Sequence, residues 1–392
     1  VPTIDGERLI ADLRALRGFG ATGTGVVRPT FSPVDMEARR WLARRMAEAG
    51  LEATIDGVGN VIGRSRNPGP ALLLGSHTDT QPRGGWLDGA YGVMAALEVA
   101  RAAPDLAIDV ASWADEEGTW WGFLGSSSFC GEDVEESPGL AEAIRAAGLA
   151  GVPKARLEEG RYLGYLEAHI EQGGVLEAEG ERLGVVTQIV GMRDVDVTFA
   201  GQQNHAGTTP MRLRRDAGAA AIRFAHEAQT SLATVAGPAS VWTIGRIAFD
   251  PGAPSIIPGR ATLHLQVRDT APDVLARMEA HVRALVAEAD RRGPCRVTVA
   301  GDVDGVEPAA MDEGLQAHLA EACERHAPGL WRRMPSGAGH DAQVLARRLP
   351  AAMLFVPSIR GISHDFAEDT GEDDLVLGCR VLATAAAAIL GR

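Results

Sequence analysis

Cysteine is scarce in this chain of 392 residues. Its four cysteines, Cys130, Cys295, Cys323 and Cys379, lie far apart and form no CxxC pair. That spacing argues against a disulfide frame or a thiolate metal site. It fits buried thiols in a reducing, cytoplasmic compartment. Basic charge is also in deficit, with a formal net charge of −14. Nucleic acid and anionic membrane are therefore not expected partners, because both need clustered Lys and Arg. No apolar run approaches the ~20 residues of a membrane span. The opening "VPTIDGERLIADLRAL" has no basic stretch followed by an apolar one, so it does not read as a secretory signal. What is present is ample apolar material, 45% of the residues. The length suggests roughly two to three domains.

Residues 5–18 and 33–49 carry helical periodicity, with Ser32 as N-cap of the second. Short apolar runs at 52–55, 60–64, 71–76 and 107–113 read as strands, and 90–102 as a helix. The alternation predicts an α/β domain around a mixed, mostly parallel sheet. Ligands of such sheets sit beyond the carboxyl ends of the strands. From about 191 the order becomes strand 192–200, helix 212–234, two alternating strands ("SVWTIGRIA", "RATLHLQVRD"), helix 271–290 and strand "RVTVAG". That β-α-β-β-α-β order predicts an inserted ferredoxin-like α+β domain at 191–308. It interrupts a catalytic domain of 1–190 and 309–392.

Histidines and acids gather in six glycine-flanked clusters. In "GSHTDTQPRGGWLDGAYG" an apolar run ends in His77, and a glycine-rich turn leads to Asp88, 11 residues on. Asp79, two residues past His77, shares its face in extended chain and can take the second imidazole N–H. An Asp-rich turn with an incidental histidine explains this stretch equally well by itself. "SWADEEGTWWG" runs from a strand into Asp115, Glu116 and Glu117. Adjacent glutamates are commonly a solvated loop, yet at a sheet terminus one can hold a metal while the other moves a proton. The others are "YLEAHIEQGG" with His169, "GQQNHAGTTPM" with His205, "SGAGHDAQ" with His340, and "PSIRGISHDFAE" with His364. Each alone reads as structural, but six together are hard to explain as solvated turns. Imidazole and carboxylate without cysteine suit Zn²⁺, Mn²⁺, Co²⁺ or Ni²⁺.

These motifs, with "GVVTQIVG", "RRDA" and "FVPSIRGISH", occur in an order that resembles the N-carbamoyl-amino-acid hydrolases, β-ureidopropionases and allantoate amidohydrolases. They are a branch of the two-domain, di-metal aminoacylase/carboxypeptidase superfamily, and the resemblance runs from about residue 10 to 390. It implies an aminopeptidase-like catalytic domain with a lid and dimerisation domain inserted. It implies two divalent ions per subunit, Zn²⁺ first, with Mn²⁺, Co²⁺ or Ni²⁺ as alternatives. His77, Asp88 and His169 would hold one ion, and Asp88, Glu117 and His364 the other. Glu116 would be the general base and His205 a catalytic group that stabilises the oxyanion when the lid closes. Gln172 and Arg268 would contact substrate, Arg268 through a carboxylate. Ser255 and Ser363 fall in substrate-lining segments, and Asp79 would support His77.

Peptidase relatives carry an acid where this chain has His169. The resemblance therefore implies hydrolysis of an N-carbamoyl (ureido) amino acid or a similar linear amide. An aminoacylase or dipeptidase acting on N-acyl amino acids is the alternative, and a metal-free binding protein the remote one. The pocket departs from the family pattern. Ser255 replaces an asparagine, Gln266 replaces an acid, "SHDF" replaces "SHSP", and "TWW" follows the glutamates. The expected partners are a small ureido or N-acyl amino acid and a second copy of the chain.

Overall fold

The seven residues Ala71–His77 are buried at every position. A strand with no outward face must lie inside a sheet covered on both sides. It pairs in parallel with Ile108–Trp113 on one edge and Tyr162–Ile170 on the other. Tyr162–Ile170 in turn pairs in parallel with Ala351–Val356. Beyond these four strands the pairing is antiparallel, to Val61–Arg64 and then Glu52–Ile55 on one flank and Leu183–Ile189 on the other. Among the described residues the sheet has nine strands. The computed structural model describes residues 2–132, 134, 138–301 and 303–391. The chain divides into two units, 1–188 with 310–392, and 189–309.

In the first unit the helices Ala90–Ala102 and Glu372–Ile389 supply apolar faces to the sheet. Leu72 and Leu74 share one core with Tyr91, Leu97, Val381 and Leu382. Each such side chain contributes about 1.5–3 kcal/mol on burial. The Ser32 hydroxyl accepts the Asp35 N–H at 3.2 Å, capping helix Pro33–Glu48 as its sequence predicts.

The inserted unit runs strand Gly191–Ala200, helix Ala217–Ser231, strands Val241–Asp250 and Arg260–Asp269, helix Pro272–Arg292 and strand Arg296–Val299. All strand pairs are antiparallel, with Gly191–Ala200 between Arg260–Asp269 and Arg296–Val299 and Val241–Asp250 at the far edge. This is the ferredoxin-like order. Ala261, Leu263, Leu265 and Val267 enter its core with Phe199, Phe224 and Met278. One helix starts later than periodicity suggests. Residues 211–213 form a separate turn, and Asp216 caps the helix by accepting the Ala219 N–H at 3.0 Å.

All four cysteines are free and buried. Among the described residues, no helix is long and apolar enough to cross a membrane.

Candidate metal centre

Four parallel strands deliver their carboxyl ends to one rim. His77 ends its strand opposite Trp113, and Glu116 lies three residues beyond. His169 stands opposite Phe355 near the ends of the next pair. The glycine-rich turn after His77 brings Asp88 back to this rim, and two glycines are required for it. Gly89 has φ +62, and a Cβ there would lie 2.3 Å from the His77 ring. A Cβ on Gly85 would lie 1.9 Å from Glu368 Oε1. The first glycine lets the backbone pass under an imidazole, and the second lets it approach a carboxylate.

Two donor groups share Asp88. His77, Asp88 and His169 can place ligand atoms within 4.8 Å of one another, and so can Asp88, Glu117 and His364. Asp88 Oδ1 is 3.2 Å from His169 Nε2 and 3.7 Å from His77 Nε2. Asp88 Oδ2 is 3.2 Å from His364 Nε2. Glu117 Oε2 is 3.8 Å from the same nitrogen. The imidazoles suit a cation. His77 Nδ1 faces the Asp79 carbonyl at 3.2 Å, and His169 Nδ1 faces the Ile170 carbonyl at 2.8 Å. A carbonyl only accepts, so each Nδ1 carries a hydrogen, and Nε2 is the nitrogen left to take a cation when the ring is neutral. Imidazole nitrogens and carboxylates in two such sets fit borderline divalent cations.

The electrostatics without cations are those of crowded acids and imidazoles. Burial pushes Asp88 up, but hydrogen bonds from His169, His364 and His77 outweigh it and hold the carboxyl well below its usual range. The bond to Asp88 raises His364 to about 9. Burial, together with Glu117, lifts Glu116 well above the usual carboxylate range. Burial and Asp88 lift Glu117 to about 7. Divalent cations reverse this logic, because they favour ionised carboxylates and neutral imidazoles. Glu116 belongs to neither donor set but borders the first, with Oε2 3.5 Å from His77 Nε2. Its loop is rigid: buried Asp115, at φ +59, accepts the N–H groups of Thr119, Trp120 and Trp121 at 2.7–2.9 Å.

The supporting residues differ in part from expectation. It is the Asp79 carbonyl that faces His77 at 3.2 Å, while its carboxylate Oδ1 stands 3.7 Å away. Asp79 Oδ2 instead accepts the Glu117 N–H at 3.2 Å. Gln172, at φ +57, donates to Asp88 Oδ2 at 3.1 Å. The Ser363 hydroxyl donates to Glu368 Oε2 at 2.7 Å. Three buried groups carry no role in the sequence reading: Glu167, His340 and Glu368. Glu167 and His340 form a third cluster with His169. Its donors are already engaged: Glu167 accepts from Ser76, Tyr165 and Ala342, and His340 Nε2 meets Ser336 Oγ at 3.0 Å. The His340 ring packs edge-on against His169, centroids 4.5 Å apart, so the cluster braces that ligand. Glu368 faces Asp88 from the other side, through the backbone N–H groups of Leu87 and Asp88. A period-2 signal was available for Glu167, two residues before His169.

His205, Ser255 and Arg268 belong to the inserted unit. Asn204–His205 pairs with Ile256–Ile257, and Ser255 O accepts the Ala206 N–H at 3.0 Å. His205 is exposed, and its Nδ1 accepts the N–H groups of Gly207 and Thr208 at 3.0 and 3.2 Å. Arg268 lies on the sheet face opposite the core, its Nε donating to Gln266 Oε1 at 2.7 Å.

The model of peptidase family M20/M25/M40 matches residues 73–388. The chain belongs to this family. An allantoate amidohydrolase of Escherichia coli (strain K12) is 37% identical, with 94% of each chain covered. An N-carbamoyl-L-amino acid amidohydrolase of Geobacillus stearothermophilus is 35% identical, with 97% of each covered. Among solved structures, a Burkholderia phymatum amidase of the hydantoinase/carbamoylase family is 53% identical with a TM-score of 0.88, covering 100% of this chain and 98% of that one. This M20 chain therefore sits with the hydantoinase/carbamoylase-type amidases, as its motifs imply. It is a hydrolase of carbon–nitrogen bonds. The family is metal-dependent, and the two donor groups that share Asp88 are candidate ligands.

Proposed function

We propose that the chain hydrolyses the carbamoyl C–N bond of N-carbamoyl amino acids, with two divalent cations that His77, Asp88 and His169 and, in turn, Asp88, Glu117 and His364 would hold. The observation that carries this reading is the Asp88 carboxylate. Its Oδ1 meets His169 and its Oδ2 meets His364, both at 3.2 Å, so one side chain faces two donor groups. When bound, such a pair acidifies water and polarises the amide carbonyl. Glu116 takes the proton from the attacking water as its oxygen bonds to the carbonyl carbon. The C–N bond then breaks, and Glu116 returns the proton to the leaving nitrogen. Zn²⁺ suits the donors first, and Mn²⁺, Co²⁺ or Ni²⁺ also fit them.

The inserted unit supplies binding. His205 donates to the developing oxyanion, and Arg268 forks onto the substrate carboxylate. Gln172 and Ser255 complete the polar lining, and Ser363 serves it through the turn it holds. The same unit joins two copies into a homodimer. Its edge strand Val241–Asp250 exposes Ile247 and Phe249 on one face, apolar surface that an isologous partner would cover. Sedimentation at micromolar concentration giving only monomer would remove the dimer.

The deciding experiment follows ammonia released from N-carbamoyl amino acids and allantoate, and free amino acid released from N-acetyl amino acids. It is run on chelated protein and after each metal is restored. Metal-dependent release from N-carbamoyl amino acids is expected. Turnover of N-acetyl substrates alone would shift the reading to an aminoacylase. Metal-independent turnover would remove the mechanism. The allantoate arm is motivated by the Escherichia coli relative.

A further inference from the structure

Glu368 follows His364 by four residues and is 2% exposed. Its Oε1 accepts the N–H groups of Leu87 and Asp88 at 3.1 and 3.0 Å. Its Oε2 accepts the Ser363 hydroxyl at 2.7 Å. One carboxylate thus fastens the backbone at Asp88 to the turn that carries His364, across 280 residues of sequence. Gly85 exists as glycine to admit it, since a Cβ there would overlap Glu368 Oε1 at 1.9 Å.

The two donor groups need this brace unequally. His77 and His169 are 1% exposed, lie at strand ends, and have Nδ1 hydrogens held by backbone carbonyls. The His364 side chain is 50% exposed. It has φ +54 and stands in a turn eight residues past the strand that ends at Val356. Two side chains tie that turn to Asp88: Gln172, whose Nε2 lies 3.1 Å from Asp88 Oδ2, 3.4 Å from Ser363 Oγ and 3.3 Å from His364 Nε2, and Glu368, which of the two is the one that holds the Asp88 backbone.

We propose that Glu368 is the positioning residue of the Asp88–Glu117–His364 group. It sets the separation of Asp88 Oδ2 from His364 Nε2 and so decides how tightly that group holds its cation. The inference rests on the two-cation reading above. Hydrogen-bond geometry carries it, so side-chain length and acceptor position matter and net charge does not.

Two variants separate those terms. Glu368→Gln keeps the length and a carbonyl acceptor for Leu87 and Asp88, and its amide can donate to Ser363 Oγ. Glu368→Asp keeps the charge but falls one methylene short. Chelated protein is titrated with Zn²⁺ by calorimetry, alongside His364→Ala and melting curves of each metal-free variant. Wild type is expected to show two binding events, and His364→Ala identifies which belongs to its group. Glu368→Asp should weaken that event by ~10–100-fold and spare the other, whereas Glu368→Gln stays close to wild type. A single event in wild type would sink the two-cation reading itself. Two wild-type events with both variants unchanged would overturn only the brace. A weakened Gln variant beside an intact Asp variant would mean that charge acts, which also overturns it. Equal loss of both events with a lowered melting temperature would mean that Glu368 merely holds the fold.

Discussion

Ala71–His77 and Arg260–Asp269 are both interior strands of their sheets, yet they are built differently. The first is buried at all seven positions, while the second alternates buried and half-buried. A parallel strand covered on both faces has no side for function, so its chemistry collects at the end, in His77. The alternating strand keeps its apolar residues inside and presents Thr262, His264, Gln266 and Arg268 on the other face. Charges at the buried rim act at low dielectric and shift one another strongly, whereas those on the open face are screened. Damage to the first unit should therefore fall on turnover and cation binding. Damage to the open Arg268 face of the inserted unit should fall on substrate affinity, with His205 the residue of that unit that acts on turnover.

The sharpest test of that division is Glu116→Gln. It removes the proton acceptor but neither donor group, so kcat should fall by at least ~10²–10⁴-fold. Metal analysis should still find two equivalents, and near wild-type turnover would break the assignment. His169→Ala comes next. It strips a buried partner from Asp88 and should cost the metal-free protein about 3–5 kcal/mol in urea unfolding. The half-exposed His364→Ala should cost no more than about 1 kcal/mol, since solvent screens that pair. Equal costs would erase the contrast between strand-end and turn ligands. The mildest effect is expected in the inserted unit. Arg268→Ala should raise KM for substrates with a free carboxylate by ~10–100-fold, the loss of a charged hydrogen bond. A fall in kcat at unchanged KM would place Arg268 in the chemistry and blur the division.

Much of this architecture is written locally. The apolar run before His77 ends where the strand ends, and residues 90–102 form the helix their spacing predicts. Of the glycine-flanked clusters, those at His77, Glu116, His169 and His364 converge on Asp88, and the one at His340 packs behind His169. The cluster at His205 lies in the inserted unit. The unassigned residues depend on distant partners. Glu368 looks like an ordinary turn acid until Leu87 and Asp88 arrive from 280 residues away. Asp115, Gln172 and His364 adopt positive φ without being glycine, which tertiary contacts impose and composition does not announce. Glu167 is the exception, since in the strand Tyr162–Ile170 it stands two residues from His169 on the same face, a local signal.

The four buried thiols give each unit its own chemical clock. Burial raises Cys130 and Cys323 to about 12 and lifts Cys379 well above the ordinary thiol value, all in the first unit. Cys295 is alone in the inserted unit, and burial raises it as well. A thiol reagent attacks only the thiolate, so labelling waits for the backbone around each cysteine to open. The order in which peptides containing Cys295 and the other three acquire label then ranks the two units by how often each comes apart.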